Sequence, residues 1–155
     1  MLSKKTAKTE KKEFTIDLNL IENFQFNVKF DMDVPDLLLD EPADAGGDGK
    51  GPNASRLIGT AVGNCLSASL LFCLRKARVN ITGIRTIVKG IIARNAEGYW
   101  RIQQFEVNIR PSLRDSEKSS GFERCKGVFE NYCIATESIR QGIPVNVTIT
   151  PKKVM

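Results

Sequence analysis

A chain of 155 residues, 41% hydrophobic and 26% charged, has the composition of an ordinary globular protein and can bury roughly 70% of the surface that its unfolded form exposes. Its formal charge of +5 is concentrated in residues 1–12, MLSKKTAKTEKK, where five Lys stand against one Glu, so the rest of the chain is nearly neutral. That distribution, with aromatic residues that lack the spacing of a stacking platform, argues against nucleic acid as a partner.

Residues 1–12 read as a disordered basic tail ahead of a single domain over 13–155. The tail lacks the apolar run of a secretory signal, so a cytoplasmic location is expected, where thiols stay reduced. The sequons NAS, NIT and NVT carry no weight in that compartment.

FTIDLNL, residues 14–20, alternates apolar and polar side chains, and residues 24–34 repeat the period with Phe24, Phe26, Val28, Phe30, Met32 and Val34. Two half-buried strands are predicted, joined by a turn at Ile21, Glu22 and Asn23 in which Asn suits a left-handed position. ADAGGDGKGPN then predicts a flexible loop. It is not a phosphate-binding loop, because Asp44 and Gly51 stand where that pattern requires Gly and Ser or Thr.

Asn53 is placed to cap a long helix running to about Lys76. Stretches 81–94 and 99–110, rich in Ile and Val and separated by NAEG, predict a second hairpin. From about Ser119, Phe122, Cys125, Val128, Phe129, Tyr132 and Cys133 recur at spacings of three and four, which predicts a second helix through about residue 135. GIPVNVTIT predicts a closing strand. The fold class is α+β, with antiparallel sheets against two long central helices.

Residues 57–74 carry no charge, and eighteen such residues reach the lower limit for a membrane span. Many are small or polar, and Asn64 is costly in lipid, so a buried helix and no membrane partner are expected. Gly59, Gly63 and Ala68 would let another backbone approach, such as a helix of a second subunit.

Cys65 and Cys73 lie eight residues apart on this helix, about 12 Å along its axis, too far to bond to each other. If 119–135 is helical, the same holds for Cys125 and Cys133. A disulfide within the subunit must therefore join the two helices, and periodicity leaves four pairings open. The chain has no His and no paired C-x₂-C spacing, so neither a metal site nor His-dependent catalysis is expected, nor any cofactor.

GPNASRLIGTAVGNCLSASLLFCLRK resembles the central helix of the OsmC/Ohr family, in which a reactive Cys follows the helix-opening Asn by twelve residues, as Cys65 follows Asn53 here. ENYCIATESIRQGIPVNV resembles the segment that carries the family's second Cys, a position taken by Cys133. The likeness extends over about residues 14–150. It implies an intertwined homodimer with sites at the interface, and reduction of organic hydroperoxides by thiols.

The resemblance also selects Cys65 with Cys133: a sulfenic acid forms on Cys65 and condenses with Cys133 to a disulfide that a dithiol of the dihydrolipoyl type reduces. Cys73 and Cys125 are left as packing residues. The alternative is a dimer of this fold that lacks efficient peroxide chemistry and serves as a redox-responsive or small-ligand-binding protein.

The thiolate is the nucleophile, and about 3% of an ordinary Cys is ionised at pH 7. Cys65 lies roughly 18 Å from the start of its own helix, beyond useful reach of that dipole, so a cation is expected. The family's peroxidases use an Arg near the first hairpin turn, held by a Glu in the first turn of the central helix. Here Ser55 takes the Glu position, and only Asn23 and Gln25 lie near the turn. Lys29 and Arg56 are the nearest substitutes. Asp40 and Glu41 are read as solvated carboxylates that could orient a basic side chain, and Asn53 and Ser55 complete the candidate site loop.

Overall fold

A computed structural model describes residues 10–114 and 120–152. Most of the basic tail, and the first residue of the expected second helix, lie outside them. The chain forms two compact units that divide at Ala54 and Ser55, and each is described by itself.

The first unit is a three-stranded antiparallel sheet. β1 (Ile16–Glu22) pairs with β2 (Gln25–Phe30), and β2 with β3 (Leu37–Leu39). The expected turn forms at Asn23, whose φ of 44° is the left-handed conformation that Asn tolerates. β3 falls within LLLDEP, a run too short to declare a period. The predicted second strand over 24–34 ends at Phe30, and of its apolar face only Val28 is buried, with Phe24, Phe30, Met32 and Val34 exposed; β1 is exposed along its length. Pairing supplies β1 with hydrogen bonds while its side chains gain no burial.

The loop after β3 is pinned rather than flexible. Asp40, 2% exposed, accepts hydrogen bonds from the backbone N–H groups of Glu41 (2.8 Å), Asp48 (3.2 Å) and Lys50 (3.0 Å). One buried carboxylate thereby satisfies three amides that no strand or helix pairs. Gly47 makes the wrap feasible, since a Cβ there would lie 1.9 Å from the carbonyl oxygen of Glu41.

The second unit begins with α1 (Ala54–Lys76). Gly59, Val62, Gly63, Leu66, Ser69, Leu70 and Leu74 form its buried face, at the spacing of a single helical stripe. This stripe packs on the hairpin of β4 (Ile81–Arg94) and β5 (Trp100–Leu113). Gly59 and Gly63 admit Phe105 and Val88 of those strands, and a Cβ at residue 63 would come within 2.6 Å of Val88 Cγ2. The two glycines thus serve sheet packing rather than the expected approach of another helix. Long and apolar enough to cross a membrane by length and composition, α1 is instead a core helix with one exposed side that includes Ile58, Asn64 and Phe72.

β4 and β5 meet at the predicted turn, where Asn95 Oδ1 accepts from the N–H groups of Glu97 and Tyr99. The expected second long helix is broken into three pieces: α2 (Ser120–Val128), a 3-10 turn over Phe129–Tyr132, and α3 (Ile134–Gln141). The spacing of three and four continues through the turn because a 3-10 turn repeats every three residues. Side-chain periodicity therefore does not reveal the break.

The predicted closing strand does not form. Residues 142–150 have no regular structure, and Ile143, Val145, Val147 and Ile149 are 58, 81, 78 and 88% exposed. A strand exists only through a neighbour's backbone, and this segment has none in the protomer.

Candidate active site

The ladder Val62, Leu66, Leu70, Leu74 along α1 organises two apolar clusters, and each contains a cysteine from either side of the fold. Val62 and Leu66 gather Cys133, with Cys65, Phe105, Val107, Ile109 and Phe129 around them. Leu70 and Leu74 gather Cys125, with Cys73, Phe122 and Val79. The order along α1 is 65 then 73 and along the returning segment 125 then 133, so the two runs are antiparallel. Both pairs span eight residues, and one register brings both together.

The second pair is covalent. Cys73 and Cys125 form a disulfide with Cα atoms 5.6 Å apart, which corrects the expectation that both are packing residues. Cys65 and Cys133 are free thiols packed in one apolar cluster, close enough for each to act on the other's ionisation.

Local structure decides the chemistry of that pair. Cys133 leaves the helical conformation, with φ −86° and ψ 97°, and caps α3, its sulfur accepting from the N–H of Thr136 at 3.5 Å. The same sulfur is 3.1 Å from Thr136 Oγ1, to which the thiol donates. This is a capping box in outline, with Cys at the cap and Thr three residues on. Cysteine is not among the preferred caps, so the sequence signal was weak: a Cys-x-x-Thr spacing with Glu137 behind it in the first turn of α3.

The two sulfurs are perturbed in opposite directions. Burial pushes the Cys65 thiol above its ordinary value, aided by Cys133, while the N–H groups of Ala135 and Ile134 oppose the rise. Burial acts on Cys133 in the same sense, but the Thr136 hydroxyl, the Cys65 thiol and the N–H groups of Thr136 and Ala135 outweigh it and hold Cys133 below the ordinary thiol range. Cys133 is 1% exposed and Cys65 is half-buried.

Beside the pair lies a cavity of about 650 Å³ lined mainly by apolar side chains, including Ile58, Leu66, Phe105, Val107 and Ile139. Neither cysteine lines it; the cavity is joined to the pair through Val62 and Leu66, which pack in the same cluster as the two cysteines, and through Thr136, the partner of Cys133. Arg140 stands in its wall and is ion-paired to Glu130 (2.7 Å) and Glu137 (2.6 Å). These pairs raise its pKa and tie α3 to the turn that precedes it.

The remaining candidates take other positions. Lys29 is exposed on β2, opposite Asp17 across the ladder. Asp40 organises the pinned loop, which corrects its reading as a solvated carboxylate, and Glu41 is half-buried in that loop. Asn53 immediately precedes α1. Ser55 and Arg56 occupy its first turn, where the Arg56 carbonyl accepts from the Thr60 hydroxyl. The two polar residues near the hairpin turn are committed locally, Asn23 Nδ2 donating to the Gly46 carbonyl at 3.0 Å and Gln25 Nε2 to Asp48 Oδ2 at 2.8 Å.

A model of the family described as OsmC-like protein matches residues 47–148, a span that contains all four cysteines. The chain belongs to the OsmC-like family. Solved structures of the same fold include an OsmC-like protein from Mycoplasma pneumoniae, with TM-score 0.69 and 18% identity over 91% of this chain and 98% of that one. An OsmC-like protein of unknown function from Vibrio cholerae gives TM-score 0.69 and 12% identity over 83% and 94%. An organic hydroperoxide resistance protein OsmC from Legionella pneumophila gives TM-score 0.62 and 12% identity over 83% and 90%. Among curated proteins, none matches. Membership fixes the OsmC-like fold; at these identities the solved structures speak to fold alone.

Proposed function

We propose that this OsmC-like protein reduces organic hydroperoxides with Cys65 as the peroxide-attacking thiol and Cys133 as the thiol that resolves it. The observation that carries the reading is the contact of two free thiols beside a largely apolar cavity. Cys65 is the more exposed of the two and attacks the peroxide oxygen. The resulting sulfenic acid condenses with Cys133, which is already in contact, and water leaves. A dithiol reductant of the dihydrolipoyl type then returns both thiols. The apolar cavity favours an alkyl or aryl hydroperoxide over hydrogen peroxide, because burial of the organic group supplies about 25 cal/mol per Å².

The site works within a homodimer on this reading, close to the subunit interface. Support comes from apolar surface that the protomer leaves uncovered: the alternating face of Phe14, Ile16, Leu18 and Leu20, and the period-two run from Ile143 to Ile149. Both have the pattern of strands that bury one face.

One equivalent of cumene hydroperoxide should remove two titratable thiols from the wild type and yield a Cys65–Cys133 disulfide. Cys65→Ser should slow peroxide consumption on the order of a hundredfold. Consumption at the wild-type rate by that variant rules the reading out. A second reading, a redox-responsive dimer of the same fold without efficient turnover, is favoured by the upward shift of Cys65. Disulfide formation with a general oxidant, but no turnover with any dithiol, would select it.

A further inference from the structure

The sulfur pair lies on the uncharged run of α1, and β5 meets it with Phe105, Val107 and Ile109. Among the described residues, the charged groups on the 3-10 turn and α3 are Glu130, Glu137 and Arg140. One guanidinium between two carboxylates leaves a net charge of −1 there and no uncommitted cation in the group, with Arg140 bonded to both carboxylates. The groups that act on the sulfurs are each other, the Thr136 hydroxyl, and the N–H groups of Ile134, Ala135 and Thr136.

Those three amides open α3, where helix geometry leaves N–H groups without intrahelical partners and gives them a partial positive charge. The break after Val128 is what brings this helix end to the middle of α1. Had residues 119–135 formed one helix, interior amides bonded to their own carbonyls would lie here instead.

We propose that the Cys65 and Cys133 pair carries a single negative charge that resides on Cys133, that Thr136 is the positioning residue that keeps it there, and that this arrangement activates Cys65 in place of a cation. Its use in catalysis rests on the hydroperoxide reading above; its existence does not. When Cys133 ionises, the Thr136 hydroxyl turns from acceptor to donor, and the Cys65 thiol donates to the same sulfur. The opposite perturbations of the two thiols agree with this assignment.

The steps balance without an external base. The Cys65 S–H passes its proton to the Cys133 thiolate, and the Cys65 thiolate attacks the terminal oxygen of ROOH. The O–O bond breaks and an S–O bond forms, leaving Cys65 as sulfenic acid and RO⁻, which takes the proton from Cys133 to give ROH. The Cys133 thiolate, regenerated, attacks the sulfenic sulfur, and hydroxide leaves as the disulfide forms. Two electrons have passed from the two sulfurs to the peroxide, and Cys133 has served as proton acceptor and then as nucleophile.

The test is ultraviolet titration of thiolate in the protein with Cys73–Cys125 intact. Wild type should show one thiolate ionising below the ordinary cysteine range. Cys65→Ser should keep it and Cys133→Ser should lose it; the reverse pattern overturns the proposal. Thr136→Val should raise the midpoint by about one pH unit, a tenfold loss of thiolate below the midpoint, and Thr136→Ser should restore it. An unchanged midpoint in Thr136→Val overturns the role of Thr136. Should Thr136→Val not fold, the comparison of Cys65→Ser with Cys133→Ser still decides where the charge sits.

The rate of the first turnover with cumene hydroperoxide should follow the same midpoint, falling as pH drops below it. A wild-type titration as expected with no peroxide consumed would sink the proposed activity and leave the charge assignment standing. Rapid consumption with the thiolate on Cys65 would do the opposite.

Discussion

At the scale of single residues, the sequence singles out two cysteines that the fold packs into one cluster, while the groups around them differ from those expected. Cys65 and Cys133 were found through spacing to Asn53 and through the resemblance of ENYCIATESIRQGIPVNV, and the structure sets them side by side. Thr136 is not legible in the sequence, because a hydroxyl and backbone N–H groups that contact a sulfur leave no charge pattern, unlike the cation expected there. Asp40 shows the converse: an acidic dipeptide in a Gly-rich stretch reads as solvated, yet Asp40 is the buried acceptor for three amides. Asp40→Ala leaves those N–H groups without their partner and should cost about 1–3 kcal/mol, read as a lower urea midpoint. Asp40→Asn retains an acceptor oxygen and should cost less.

Among elements, the decisive event is the break after Val128. A single helix over 119–135 would have put Cys125 and Cys133 on one rod. The 3-10 turn changes direction there, Cys133 becomes a cap, and the first turn of α3 is aimed at the sulfurs. The Cys73–Cys125 bond fastens α2 to the last turns of α1 immediately before that break and closes a loop across a sequence separation of 52. Chain-entropy arguments give such a link about 2–4 kcal/mol. Cys73→Ser with Cys125→Ser should therefore lower the thermal midpoint under non-reducing conditions. Peptide mapping without reductant should recover residues 73 and 125 in one linked fragment, and equal midpoints for the variant and wild type would show that the bond adds no stability.

On the scale of the molecule, the protomer exposes surface that its own chain does not cover. Ile143, Val145, Val147 and Ile149 alternate like a strand but pair with nothing among the described residues, and β1 turns Ile16, Leu18 and Leu20 to solvent. Such edges and faces pair with another chain when one is available. Sedimentation equilibrium should accordingly give twice the 17.2 kDa chain mass, and removing residues 143–152 should shift the species toward monomer. A monomeric wild type at micromolar concentration would refute the dimer.

What the sequence by itself determined is whatever short-range pattern encodes: the first hairpin with Asn23 in its turn, the start and end of α1, the Ile- and Val-rich second hairpin, and the likeness to the OsmC-like family. These follow from periodicity, turn chemistry and residue spacing, which act within a few residues. Tertiary structure decided what depends on the register between distant segments. It set the antiparallel match of 65 and 73 against 133 and 125, the second disulfide that this register allows, the burial of Asp40, and the aiming of a helix N-terminus at two sulfurs. A hydrophobic repeat of three and four is satisfied equally by a continuous helix and by one interrupted by a 3-10 turn, and only packing against Val62 and Leu66 distinguishes them.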